Sequence, residues 1–206
     1  MAYRKPKDYD DVQVGDYRIL PAGGYICRIL KAEETTSRNG NKPMLKVAFD
    51  ICDGEFTGYF MDSFQNRRNA AEDPSEVKWP FSGTKWIMFL DSEGRTNKDF
   101  KAFCTALEES GTKVWKTDKN GDSIIDANDL KNAEVGVVFR REESKYMNQT
   151  NWRTVPFRFR SVKSIEDGDF TVPEDKPLKD DYKGTAFSPA DGLDSFSAAE
   201  DDIPFK

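Results

Sequence analysis

The sequence predicts a mainly β domain of five strands closed into a Greek-key barrel. One helix lies between the third and fourth strands, and a disordered acidic tail follows. Three observations carry this. Short apolar–polar alternating segments are separated by Gly-, Asn- and Asp-containing turns. A single amphipathic helical pattern, 97–109, interrupts them. From Pro173 onward Pro, Ser, Gly and Asp replace any periodicity, which marks a domain over 1–172 and a tail over 173–206. A flattened sandwich or an α+β sheet would show much the same pattern.

Tyr25–Ala32 follows a Pro-Ala-Gly-Gly turn and reads as the first strand. Asn39-Gly40 supplies a hairpin reversal inside the loop 35–42. In the second strand Leu45, Val47, Phe49 and Ile51 alternate with Lys46, Ala48 and Asp50, giving one apolar face. After the Asp53-Gly54 turn, Phe56–Met61 reads as a third strand with a bend or bulge at Gly58. The polar stretch 66–82 is an excursion, and the apolar run 85–90 is too short to assign between strand and helix. Asn97 caps the helix, Phe100, Phe103 and Leu107 share its face, and Gly111 ends it. Val135, Val137 and Phe139 mark the fourth strand, and Trp152–Ser164 covers the fifth.

Composition narrows the chemistry. The chain has no histidine, which removes imidazole acid–base catalysis, Ser-His and Cys-His nucleophiles and the usual zinc sites. No other catalytic constellation stands out, so the expectation is a binding protein, not an enzyme, with no cofactor. Cys27, Cys52 and Cys104 form no Cys-x-x-Cys pair and read as reduced thiols. The start of the chain reads as no secretory leader and no apolar run approaches a membrane span, so the expected location is the cytoplasm. The net charge of −6 is uneven: residues 173–206 hold nine acids against four lysines. A body close to neutral can carry a basic face.

Strand alternation predicts that face. On the last strand Val155, Phe157 and Phe159 form the expected buried set, leaving Trp152, Arg158 and Arg160 outward with Thr154 and Pro156. A ring beside guanidiniums suits unpaired bases and phosphates. Arg140, Arg141 and Tyr146 extend the patch from the preceding strand and loop, Arg38 and Lys42 from the first hairpin loop, and either Tyr59 or Phe60 from the third strand. A weaker pattern, Asp118, Asn120, Asp122, Asp126 and Asp129, resembles a calcium loop but has Ser123 at the sharp-turn glycine position. A polar turn is the other reading of that segment.

The tail ends Glu200-Asp201-Asp202-Ile203-Pro204-Phe205-Lys206, acids followed by an apolar tip, which suits partner docking. Asp201, Asp202, Ile203, Pro204 and Phe205 resemble the tail tips of bacterial single-stranded-DNA-binding proteins, which end on Phe, whereas Lys206 follows here. Leu20–Tyr25, Lys46–Ile51 with Gly54–Phe56, Phe100–Ser110 and Gly136–Arg140 with Glu142-Glu143 resemble a phage and mobile-element family of single-stranded-DNA-binding or replication-associated proteins. The resemblance covers roughly residues 10–175. It implies a barrel of the oligonucleotide-binding type that coats single-stranded DNA without strong sequence preference. The tail is then expected to recruit replication or recombination proteins, and a homo-oligomer is compatible. Two alternatives are a protein-interaction module that uses the barrel without nucleic acid, and a calcium-responsive binder acting through 118–129.

Overall fold

A computed structural model describes residues 18–37, 42–146 and 149–178. In chain order the elements are β1 (Gly23–Thr36), β2 (Pro43–Ile51), α1 (Tyr59–Ala70), β3 (Thr84–Met88), α2 (Lys98–Glu109), β4 (Trp115–Thr117), β5 (Ser123–Ile125), β6 (Glu134–Tyr146), β7 (Gln149–Arg160) and α3 (Val162–Glu166). Five strands form one antiparallel sheet ordered β3-β2-β1-β6-β7, and β4-β5 form a separate hairpin. The order β6-β1-β2-β3 is a Greek key, with the fourth strand of the main sheet returning beside the first.

The sheet is strongly curled. At ordinary strand spacing β3 and β7 would lie roughly 19 Å apart in a flat sheet. Instead Lys85 on β3 donates from Nζ to the carbonyl of Phe157 on β7 at 2.9 Å. The rings of Phe49 on β2 and Phe159 on β7 are 6.3 Å apart across the interior. No ladder joins β3 to β7 among the described residues, so the sheet stays open at the seam where the sequence predicted a closed barrel. The core fills the concave side: Ile29, Val47, Phe49, Val137, Phe139 and Phe159 are buried there, packed with Phe103 and Leu107 of α2. Asn97 caps that helix by accepting from the Asp99 amide, as the sequence predicted.

The third strand is the main correction. Phe56–Met61 forms no strand; α1 starts at Tyr59, and the third strand of the sheet is Thr84–Met88, inside the run that was ambiguous in sequence. The cause is Asp50. Its carboxylate accepts from the Phe60 and Met61 amides at 2.9 and 3.0 Å, satisfying two N–H groups at the start of a helix. Gly58, at φ 78°, turns the chain into that start in a conformation few other residues accept. Leu30, Met61 and Phe64 then make a second buried cluster on the convex side of the sheet. Leu30 faces that side as the neighbour of inward Ile29, at the bulge where β1 shifts register against β2.

Past β7, α3 lies over Gly24 and Gly136: a Cβ on Gly24 would stand 2.5 Å from the Phe170 ring, and one on Gly136 would meet Ile165. Residues 173–178, assigned to the tail from composition, include a pairing with the sheet. Lys176 donates to the Arg141 carbonyl and accepts from the Glu143 amide, each at 2.9 Å. The three cysteines are free, with Cys27 and Cys104 buried. No helix among the described residues is long and apolar enough to cross a membrane.

Candidate nucleic-acid interface

The site is built on the β6–β7 hairpin, which outruns its neighbour. β1 pairs with β6 only as far as Phe139, whereas β7 follows β6 to Tyr146. Residues 140–146 and 149–155 therefore continue as a two-stranded arm beyond the end of β1, its base still packed on the body through Arg153, Thr154 and Val155.

A bulge decides which side chains share a face. Val138 pairs with Arg158 and Phe139 with Pro156, so Phe157 has no partner and the alternation shifts by one there. Trp152, Thr154 and Pro156 consequently share the face of Arg141 and Phe139, while Arg158 and Arg160 share the face of Val138 and Gly136. The single face expected for Trp152, Arg158 and Arg160 is divided in two. The expected buried set also changes. Val155 and Phe159 are buried, but on opposite faces; Thr154 is buried as well, donating to the Leu20 carbonyl at 2.6 Å, and Phe157 is only half-buried.

On the first face Trp152 is 41% exposed, and the Arg141 guanidinium lies 5.0 Å from its ring centroid. Asp175 pairs with Arg141 at 3.2 Å, so the start of the acidic segment rests against this cation. On the second face Arg158 is exposed, and Arg140 and Arg158 flank the Phe157 ring at 4.4 and 5.3 Å. Arg140 also holds Glu142 through two hydrogen bonds to one oxygen. Burial pushes the Glu142 carboxyl up, but the hydrogen bond and charge of Arg140 outweigh it and hold the group below the usual glutamate value. Arg140 is thus partly committed within the protein. Arg160 is half-buried, and its Nε has no acceptor among the described residues.

The sequence reading missed three residues next to this second face. Arg153 pairs across from Glu142 and places its guanidinium 4.9 Å over the ring of Phe81, in the turn before β3. Phe81 lies 5.2 Å from Trp86 on β3, the two rings tilted by 33°. Alternation placed Arg153 among inward positions, and Phe81 and Trp86 fell in or beside segments left unassigned. Lys85 completes the seam. Its burial pushes the ammonium pKa below the ordinary lysine value, with Asp99 opposing that shift.

Other expected residues fall elsewhere. Phe60 is buried in the core, stacked 6.0 Å from Phe139. Tyr59 is half-buried against Phe60 at 5.2 Å, with its hydroxyl accepting from the Leu20 amide. Neither ring is a stacking platform, because α1 turns both inward. Lys42 is exposed at the base of the first hairpin loop, where Ser37 and Lys42 bond to each other. Arg38, the side chain of Tyr146, and Asp201, Asp202, Ile203, Pro204 and Phe205 lie outside the described residues. Asp118 is spent on the Asn120 and Asp122 amides of the β4–β5 turn, while Asp126 and Asp129 pair with Lys116. Among the described residues no three carboxylates or thiols converge on a point that would hold a metal.

A family model described as "Protein of unknown function (DUF669)" matches residues 7–78. The match spans β1, β2 and α1 and stops before β3, so it includes neither the seam nor the arm. No curated protein matches the chain.

Proposed function

We propose that this protein binds single-stranded DNA, with little sequence preference, in phage or mobile-element replication or recombination. The observation that carries the reading is the exposed Trp152 ring with the Arg141 guanidinium against it, on a hairpin whose other face carries Arg158 beside the Phe157 ring nearer the body. Stacking accepts any base, and guanidiniums hold the backbone. The strand order supports the same reading. β3-β2-β1-β6-β7, with α2 between the third and fourth main strands, is the order of an oligonucleotide-binding barrel opened between its third and fifth strands. We assign the chain to that fold, acting without cofactor or catalytic step.

The acidic tail is proposed to recruit replication or recombination proteins through Asp201–Phe205. Its negative charge keeps the whole-chain charge at −6 while leaving the body almost neutral. Gel shifts of single- and double-stranded oligonucleotides at low and high salt test the reading. A shift of the single strand that fades with salt supports it; no shift at low salt overturns it.

A further inference from the structure

Resting on that reading, we infer that the open seam between β3 and β7 is a second base-stacking station, in which a DNA strand lies on Trp86 and Phe81 with Arg153 holding its backbone. The route follows from what is covered. α1 packs on β1 and β2 on the convex side, burying Leu30, Met61 and Phe64 and holding Asp50 beneath its start, while Lys46 is buried beside Glu33. A strand cannot cross the sheet there. The covered zone stops at Trp86, which pairs directly with Lys46 and is itself half-buried.

From Trp86 the contacts are continuous across the seam. Trp86 meets Phe81 at 5.2 Å, and Arg153 of β7 stands 4.9 Å over Phe81. Beyond Arg153 lie Glu142, Arg140 and Phe157, with Arg158 also against that ring. Arg140, Arg153 and Arg158 thus lie along this line with one carboxylate among them, Glu142, while Lys85, on the other face of β3, is held by the Phe157 carbonyl and faces Asp99. That surplus of cations matches a polyanion, not a neutral or acidic peptide. Arg153 is half-buried, with its guanidinium held against the Phe81 ring. Rings in near-stack with a cation over one of them form a platform that every base can use. The rival role is purely structural: Arg153 on Phe81 simply holds the two sheet edges together.

The test uses the full chain and a fluorescently labelled oligothymidine, read by anisotropy, with ultraviolet crosslinking of the wild type followed by peptide mapping. Trp86→Ala is expected to weaken binding about tenfold, the size of one lost base stack, and Trp86→Phe to restore most of it. Crosslinks are expected on the peptide containing Phe81 and Trp86. If Trp86→Ala unfolds the protein, the wild-type crosslink map decides, with crosslinks at Trp152 but none at 81–86 overturning the inference. Wild-type binding with an unchanged Trp86→Ala affinity also overturns it while leaving the broader reading intact. No wild-type binding at all would instead remove the broader reading and this inference with it.

Discussion

The Lys85 ammonium and the Phe157 carbonyl tie together the two edges of the sheet, at 2.9 Å across a seam without a strand ladder. The tie meets β7 at its bulge, the residue that also rotates Arg158 away from Trp152. One contact therefore links the curl of the sheet to the layout of its basic face. Lys85→Met removes a charge-assisted hydrogen bond worth about 1.5–3 kcal/mol and recovers part of the cost of burying the ammonium. The expected net loss is about 1 kcal/mol by urea denaturation, with retained secondary structure by circular dichroism. An unchanged midpoint would show that the seam is held by the rings alone.

Asp50 carries the start of α1. Asp50→Ala leaves two buried amide donors without acceptors, an expected loss of about 2–3 kcal/mol. The pH dependence has a definite sign. Burial raises the Asp50 pKa despite the opposing amide hydrogen bonds. The folded protein therefore holds that proton more tightly than the unfolded chain, and stability declines as pH rises from the ordinary aspartate value of 3.8 through the raised one. Unfolding of wild type and Asp50→Asn across that window checks this. The wild-type advantage should shrink as pH rises; a growing advantage would mean the ionised form is the favoured one.

Trp152 and Arg158 lie on opposite faces of β7, so their contributions to DNA binding should be independent. A double-mutant cycle with Trp152→Ala and Arg158→Ala should add to within about 0.5 kcal/mol. Coupling well above that would place both on one stretch of bound strand.

Gly136 is set by its surroundings. A Cβ there would stand 2.9 Å from the Ser161 carbonyl oxygen and 3.0 Å from that of Arg160, backbone atoms with little room to yield, besides meeting Ile165. Gly136→Ala should cost about 1–3 kcal/mol and loosen α3. Thermal unfolding and amide exchange over 161–168 read both effects.

The parts legible in sequence were those with a strong local signal. Alternation at Leu45–Ile51 and the capped pattern 97–109 both correspond to elements, because burial on one face writes a regular period. Phe56–Met61 failed because its helix is started by Asp50, whose side chain reaches forward from the preceding strand to amides it does not adjoin in a strand pattern. Phe60 and Phe64, one helical turn apart, were the available sign. The Trp152–Arg158 face failed for a different reason: a bulge leaves no mark in period-two alternation until the partner register is known. Arg153, Phe81 and Trp86 were illegible because curvature, a property of the whole sheet, brings them together.

Binding of a labelled oligothymidine by the full chain, followed by anisotropy across a salt series, tests the central claim most directly. Affinity should fall linearly in log–log form, losing about 0.7 in slope for each phosphate contact removed, as in Arg158→Ala. Duplex of the same length should bind more weakly throughout. Equal affinity for duplex, or no binding of the single strand at the lowest salt, would contradict the account.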